Sequence, residues 1–150
     1  MNIQAKLSQA RTDLVLDHAF FAMPVFKLPV VETRQFEQLA TDGKTLKYNP
    51  DFIERIPMDQ LVTGLAHEGL HNMLLHPFRL HDIPDVDMET ANEAADHVIN
   101  IALEDAGMAP IDNWLCDRQY EGMSFEQVYN TLMSRKRQGD GHGPGQGQQP

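Results

Sequence analysis

With 150 residues, 41% hydrophobic and 23% charged, the chain is long enough for one globular domain with its own core. A net charge of −10 argues against nucleic acid or an anionic membrane as the partner, since both need a basic footprint. The single Cys116 excludes an internal disulfide framework and a multi-cysteine zinc cluster, no apolar run reaches the length of a membrane span, and the N-terminus has no signal-peptide pattern; the expectation is a soluble, cytoplasmic protein.

Residues 3–21 carry Ile3, Leu7, Ala10, Leu14, Val15 and Phe21 at helical spacing, which predicts one amphipathic helix packed on the domain. His18, in its last turn, reads as a structural or surface residue. Pro24 and Pro29 predict a loop that leads into a strand near 30–32. Residues 36–40 and 45–48 flank Asp42-Gly43, a hairpin signal because glycine accepts positive φ, so a small antiparallel sheet is expected. Two readings of it stand open: packing alone, or an edge strand that pairs with an extended peptide. Asn49-Pro50 ends the strand, and 51–56 forms a short helical turn with Phe52, Ile53 and Ile56 facing inward.

The stretch that follows organises the chain. Leu61, Val62, Leu65, Ala66, Met73 and Leu74 recur at three- and four-residue spacing, between Pro57 and Pro77, and predict a helix over 58–75. It contains His67-Glu68-Gly69-Leu70-His71, a complete H-E-x-x-H. Residues four apart lie about 40° round a helix, so both imidazoles project side by side and can share one metal ion. Glu68 leans over the same site and can take a proton from water instead of binding the metal. The alternative is an accidental motif in a core helix, but a glutamate is costly to bury unpaired. His76 and His81 lie in an irregular, acidic connector and read as connector residues or as outer partners of the ligands, not as ligands.

Residues 90–106 form a second helix, with Gly107 as its stop. Beside its apolar face runs a polar strip of Asn92, Glu93, Asp96 and Asn100. A catalytic zinc site with two imidazoles needs one more protein ligand and keeps a position for water. Asp96, on a helix that folds back antiparallel, is the expected third ligand. Glu93, one turn earlier, is the rival, and His97 a weaker one. A loop over 111–120 carries Trp114 and Cys116. Ser124 and Gln127 form a capping-box pattern that opens a last helix to about residue 135. From 138 onward the chain is Gly/Gln-rich, giving a domain over 1–137 and a flexible tail over 138–150, with His142 in the tail.

Taken together, Asp42-Gly43…Tyr48-Asn49-Pro50, Leu65-Ala66-His67-Glu68-x-x-His71…His76-Pro77-x-Arg79, Asn92-x-Ala94-Ala95-Asp96-x-x-Ile99-Asn100, Asp105-Ala106-Gly107 and Gly122-Met123-Ser124…Val128-Tyr129 resemble the metallopeptidase domain that in many bacterial proteins precedes a von Willebrand factor type A-like domain. The likeness runs from about residue 40 to 133. It implies an α+β, zincin-like fold, mainly helical, with a small antiparallel sheet beside the H-E-x-x-H helix. Carried over by position, it implies His67, His71 and Asp96 as ligands of one Zn2+ and Glu68 as the catalytic carboxylate. Glu93 departs from the family, which usually has an apolar residue there. No type A domain follows in this chain, so any role that domain has in partner binding is expected to be absent or supplied by another chain.

The expected activity is hydrolysis of a peptide or protein substrate by a metal-activated water, with Glu68 as general base. Arg79, His97 and Tyr120 are candidates for stabilising the oxyanion. The rival expectation is a non-catalytic zincin-like scaffold that binds a protein partner within a larger assembly.

Overall fold

The structure, a computed structural model, describes residues 2–139. The predicted tail from residue 140 on, with His142, lies outside the described residues. The chain is mainly helical with one small mixed sheet. Its helices are α1 (Ile3–Asp17), α2 (Ala19–Phe26), α3 (Pro50–Arg55), α4 (Met58–Leu74), α5 (Pro77–Leu80), α6 (Met88–Asp105) and α7 (Phe125–Arg137), with a 3-10 turn at Arg118–Tyr120. The strands β1 (Val30–Glu32), β2 (Leu39–Thr41) and β3 (Leu46–Tyr48) lie between α2 and α3.

The N-terminal region differs from the sequence expectation in two ways. The single helix over 3–21 is two helices. Asn2 caps α1, accepting from the Ala5 N–H at 2.7 Å, but the backbone breaks at His18 (φ −144°, ψ 59°). The residues around Pro24, expected as loop, are the C-terminal half of α2. A proline there removes one helical hydrogen bond. Packing accounts for its place: α2 lies across α4 with Pro24 and Val25 directly over Gly69. The break at His18 lets Ala22 and Val25 bury against that helix while Leu7, Ala10 and Leu14 of α1 stay in the same core.

The sheet is also a correction. Its order is β1-β3-β2, and only β2 and β3 form the expected antiparallel hairpin; β1 pairs with β3 in parallel. The hairpin turn is held as its sequence predicts. Asp42 Oδ1 accepts from the N–H groups of Lys44 (2.9 Å) and Thr45 (2.8 Å), and Gly43 has φ +91°. Those backbone bonds hold the Asp42 carboxyl down to about 2. Because β3 is central, β2 is an edge strand, and it is the strand that packs on α4. Leu39 reaches over Gly64, where a Cβ would come within 3.0 Å of its Cδ1. At the other end of the strand, Thr41 Oγ1 and Asn72 Oδ1 are 2.9 Å apart.

The core lies between α4, α6 and their covers. Leu61 and Leu65 of α4 meet it from one side, Ile99 and Leu103 of α6 and Phe125 and Val128 of α7 from the others, all at most 2% exposed. The capping box forms as read: Ser124 Oγ accepts from the Gln127 N–H, and Gln127 Oε1 accepts from the Ser124 N–H. The capped helix then holds the start of α6. Tyr129 Oη accepts from the Asp87 N–H at 3.0 Å, and Lys136 bonds Thr90 Oγ1.

Candidate metal centre

α4 spans the predicted helix to within a residue, so His67 and His71 project one turn apart from one face. Their ring centroids are 4.7 Å apart. α6 supplies the opposing side. Its alanines 91, 94 and 95 are fully buried, which keeps the helix close to its neighbours and lets a short aspartate reach across. Asp96 Oδ1 lies 2.7 Å from His71 Nε2 and 3.2 Å from His67 Nε2. As numbering rises along α4, the residues met on α6 fall from Asn100 to Asp96, so the two helices run antiparallel here.

His67, His71 and Asp96 each offer one ligand atom, and those atoms all lie within 4.8 Å of one another. They are close enough to bind one ion. The donor set fits a divalent metal: two imidazole nitrogens and a carboxylate oxygen converge with little solvent around them. Glu93, the rival acid, is not in this group. Half-buried on α6, its carboxyl is raised by burial, while Lys136 pulls the other way.

The three groups are electrostatically coupled. Burial raises the Asp96 carboxyl, but the hydrogen bonds from His67 and His71 outweigh it and hold the group below the ordinary carboxylate range. Burial lowers the His67 imidazole, and the hydrogen bond to Asp96 with the charges of Glu68 and Asp96 more than reverses this. Glu68 is partly buried beside both histidines, and its carboxyl makes no hydrogen bond to a described residue. Burial raises its carboxyl, opposed by the charges of His67 and His71.

The other sequence candidates have separate places. His97 is buried; its Nδ1 accepts from the Asp117 N–H at 3.1 Å, and its ring lies tilted against Tyr120 with centroids 4.8 Å apart. Tyr120 Oη accepts from Arg135 at 2.7 Å. Arg79 donates to Glu126 at 3.0 Å and covers the Phe125 ring. All three tie the second half of the chain together. His76 and His81 are exposed in the connector, which contains the short α5, and His18 marks the α1–α2 break. Sequence reasoning gave Asn100 no task, yet it bonds His67 directly: Oδ1 lies 2.7 Å from His67 Nδ1. The available signal was its spacing, one turn after Asp96 on the same face.

The chain belongs to the family described as "Putative metallopeptidase domain", whose model matches residues 2–150. The match extends well beyond the 40–133 region that carries the motifs. No curated protein and no solved structure matches the chain significantly. No helix among the described residues is long and apolar enough to cross a membrane.

Proposed function

We propose that the protein is a zinc-dependent peptidase with a zincin-like fold, in which His67, His71 and Asp96 hold the ion and Glu68 is the general base. One observation carries this reading: two imidazoles one helical turn apart converge with Asp96 Oδ1, while the carboxyl of the intervening glutamate has no hydrogen-bond partner among the described residues. A structural site has no use for that glutamate.

When bound, zinc supplies Lewis-acid activation of water and of the scissile carbonyl. The protein's own groups do the rest. Glu68 accepts a proton from the attacking water as the new C–O bond forms. It then delivers that proton to the leaving nitrogen as the C–N bond breaks. Its partly buried carboxylate suits both transfers, because burial favours the protonated form it must pass through. The free edge of β2, packed on α4, offers main-chain bonding to an extended peptide substrate by strand addition. The domain over 1–137 is the unit this reading needs, and the lone, partly buried Cys116 suits a reducing, cytoplasmic setting.

The test is metal analysis of purified protein followed by a peptide-library digest with Glu68→Gln as control. The reading requires about one zinc per chain, cleavage by the wild type, and retained zinc without turnover in the variant. Wild-type protein without stoichiometric metal would defeat it at the first step.

A second reading is a non-catalytic scaffold that binds a protein partner, such as a type A-like domain. The exposed apolar row of Leu16, Phe20, Met23 and Phe26 favours it, since such patches mark interaction surfaces. Zinc-loaded protein that cleaves no peptide in the library, yet is retained on that partner, supports this reading over the first.

A further inference from the structure

Three ligands and one base leave Asn100 of α6 without a task, although it is a polar residue only 1% exposed. Its amide is bonded at both ends. Nδ2 lies 2.8 Å from the Leu115 carbonyl oxygen, and Oδ1 lies 2.7 Å from His67 Nδ1. A backbone carbonyl only accepts, so the NH2 end must be the one facing Leu115. The amide oxygen therefore faces His67. It also only accepts, so His67 Nδ1 must carry a proton. With Nδ1 committed as donor to Asn100, Nε2, 3.2 Å from Asp96 Oδ1, is the nitrogen left to face an ion, and the proton it shares with Asp96 in the metal-free arrangement is the one an ion displaces.

We infer that Asn100 is a positioning residue that holds His67 in its Nδ1–H tautomer, so that Nε2 is free to bind a divalent ion. The inference rests on the metal-site reading above and deepens it. The residue type follows from the two bonds. An aspartate could accept from His67 but could not donate to Leu115, and it would add a charge beside Asp96 and Glu68. A leucine fills the space and makes neither bond. The same amide also ties the 111–117 segment to the centre through Leu115, a tether reinforced one turn earlier by the Asp117–His97 bond. Outer partners of this kind fix ring orientation and raise ligand basicity, and their loss costs about 10- to 100-fold in metal affinity.

The experiment uses the full chain. Zinc affinity is measured by competition with a chromophoric chelator for wild type, Asn100→Leu and Asn100→Asp. Long-range 1H–15N spectra are recorded on the zinc-loaded wild type. The expected spectrum shows His67 zinc-bound through Nε2 with a slowly exchanging Nδ1 proton. Asn100→Leu should lose about 10- to 100-fold in zinc affinity. Asn100→Asp keeps the acceptor and should recover most of that affinity, whereas a merely structural role would leave both variants equally impaired. If Asn100→Leu does not fold, the wild-type spectrum decides: His67 bound through Nδ1, or an Nδ1 proton exchanging as fast as in an exposed imidazole, overturns the inference. Wild type that binds zinc no tighter than Asn100→Leu overturns it alone. Wild type that takes up no zinc overturns it together with the metal-site reading.

Discussion

Gly69 meets Pro24 where α4 crosses α2. A Cβ on Gly69 would stand 3.1 Å from Pro24 Cβ and 3.2 Å from both the backbone nitrogen and the Cβ of Val25. The glycine inside the H-E-x-x-H motif is thus a packing contact as well as a neighbour of Glu68. Alanine would improve helix propensity by ~1 kcal/mol. It would also press on backbone that cannot swing aside, and overpacking of this kind costs ~1–3 kcal/mol. Gly69→Ala should therefore destabilise the fold, lowering the midpoint of urea unfolding. An unchanged or higher midpoint would mean that α2 does not sit this close to α4.

The metal shell can be tested by comparing two acids one turn apart. Asp96 lies within 3.2 Å of both imidazoles, while Glu93 is outside the converging group. Asp96→Ala should weaken zinc binding by more than the ~10- to 100-fold that outer-shell changes cost. Glu93→Gln should leave the affinity close to wild type. The reverse ranking in a chelator competition would exchange the roles of the two residues.

Why these assignments were legible, and others were not, follows from the range of the interactions. α4, α6 and α7 announce themselves through i, i+3 and i+4 apolar spacing and through local stops and caps, Ser124 and Gln127 above all. Asp96 could be named as a candidate because two imidazoles of an H-E-x-x-H call for a third ligand and the second helix presents acids on one strip, and it is the acid that converges with them. Three features escaped. The break at His18 and the helical Pro24 depend on what α2 finds at Gly69, some forty-five residues away. The parallel β1–β3 pair joins segments whose connection contains another strand, and no turn residue encodes it. Asn100 looked like one more polar residue on a strip, because its role depends on Leu115 supplying a carbonyl behind it.

A metal bound at this centre should tighten the domain. The three candidate ligands come from two helices, so an ion held by them cross-links α4 to α6 in the native state alone. At free zinc 100 times the dissociation constant the stabilisation is ~2.7 kcal/mol, which for a chain of this size raises Tm by roughly 5–10 °C. Thermal unfolding with zinc, with EDTA, and with zinc restored should show that gain, loss and recovery. His71→Ala should show no zinc-dependent shift. An equal shift in that variant would mean the stabilising ion binds elsewhere.

Cys116 gives a last prediction, independent of the metal. It sits in the loop after Trp114, partly buried, beside the Glu104 carboxylate. Burial and the hydrogen bond and charge of Glu104 push its thiol up to about 11. The sign is clear: a raised thiol pKa means less thiolate, and only the thiolate reacts. At pH 8 about one molecule in a thousand would carry the nucleophilic form, against roughly one in four for a free cysteine. Iodoacetamide should therefore modify the folded protein slowly at pH 8 and the urea-unfolded protein fast. The folded-state rate should still be climbing at pH 10, where an ordinary thiol has already levelled off. Glu104→Gln removes the neighbouring charge and should speed the folded-state reaction at pH 8. A folded wild type that reacts as fast as the unfolded chain would mean that the 111–117 segment does not pack against α6 as described.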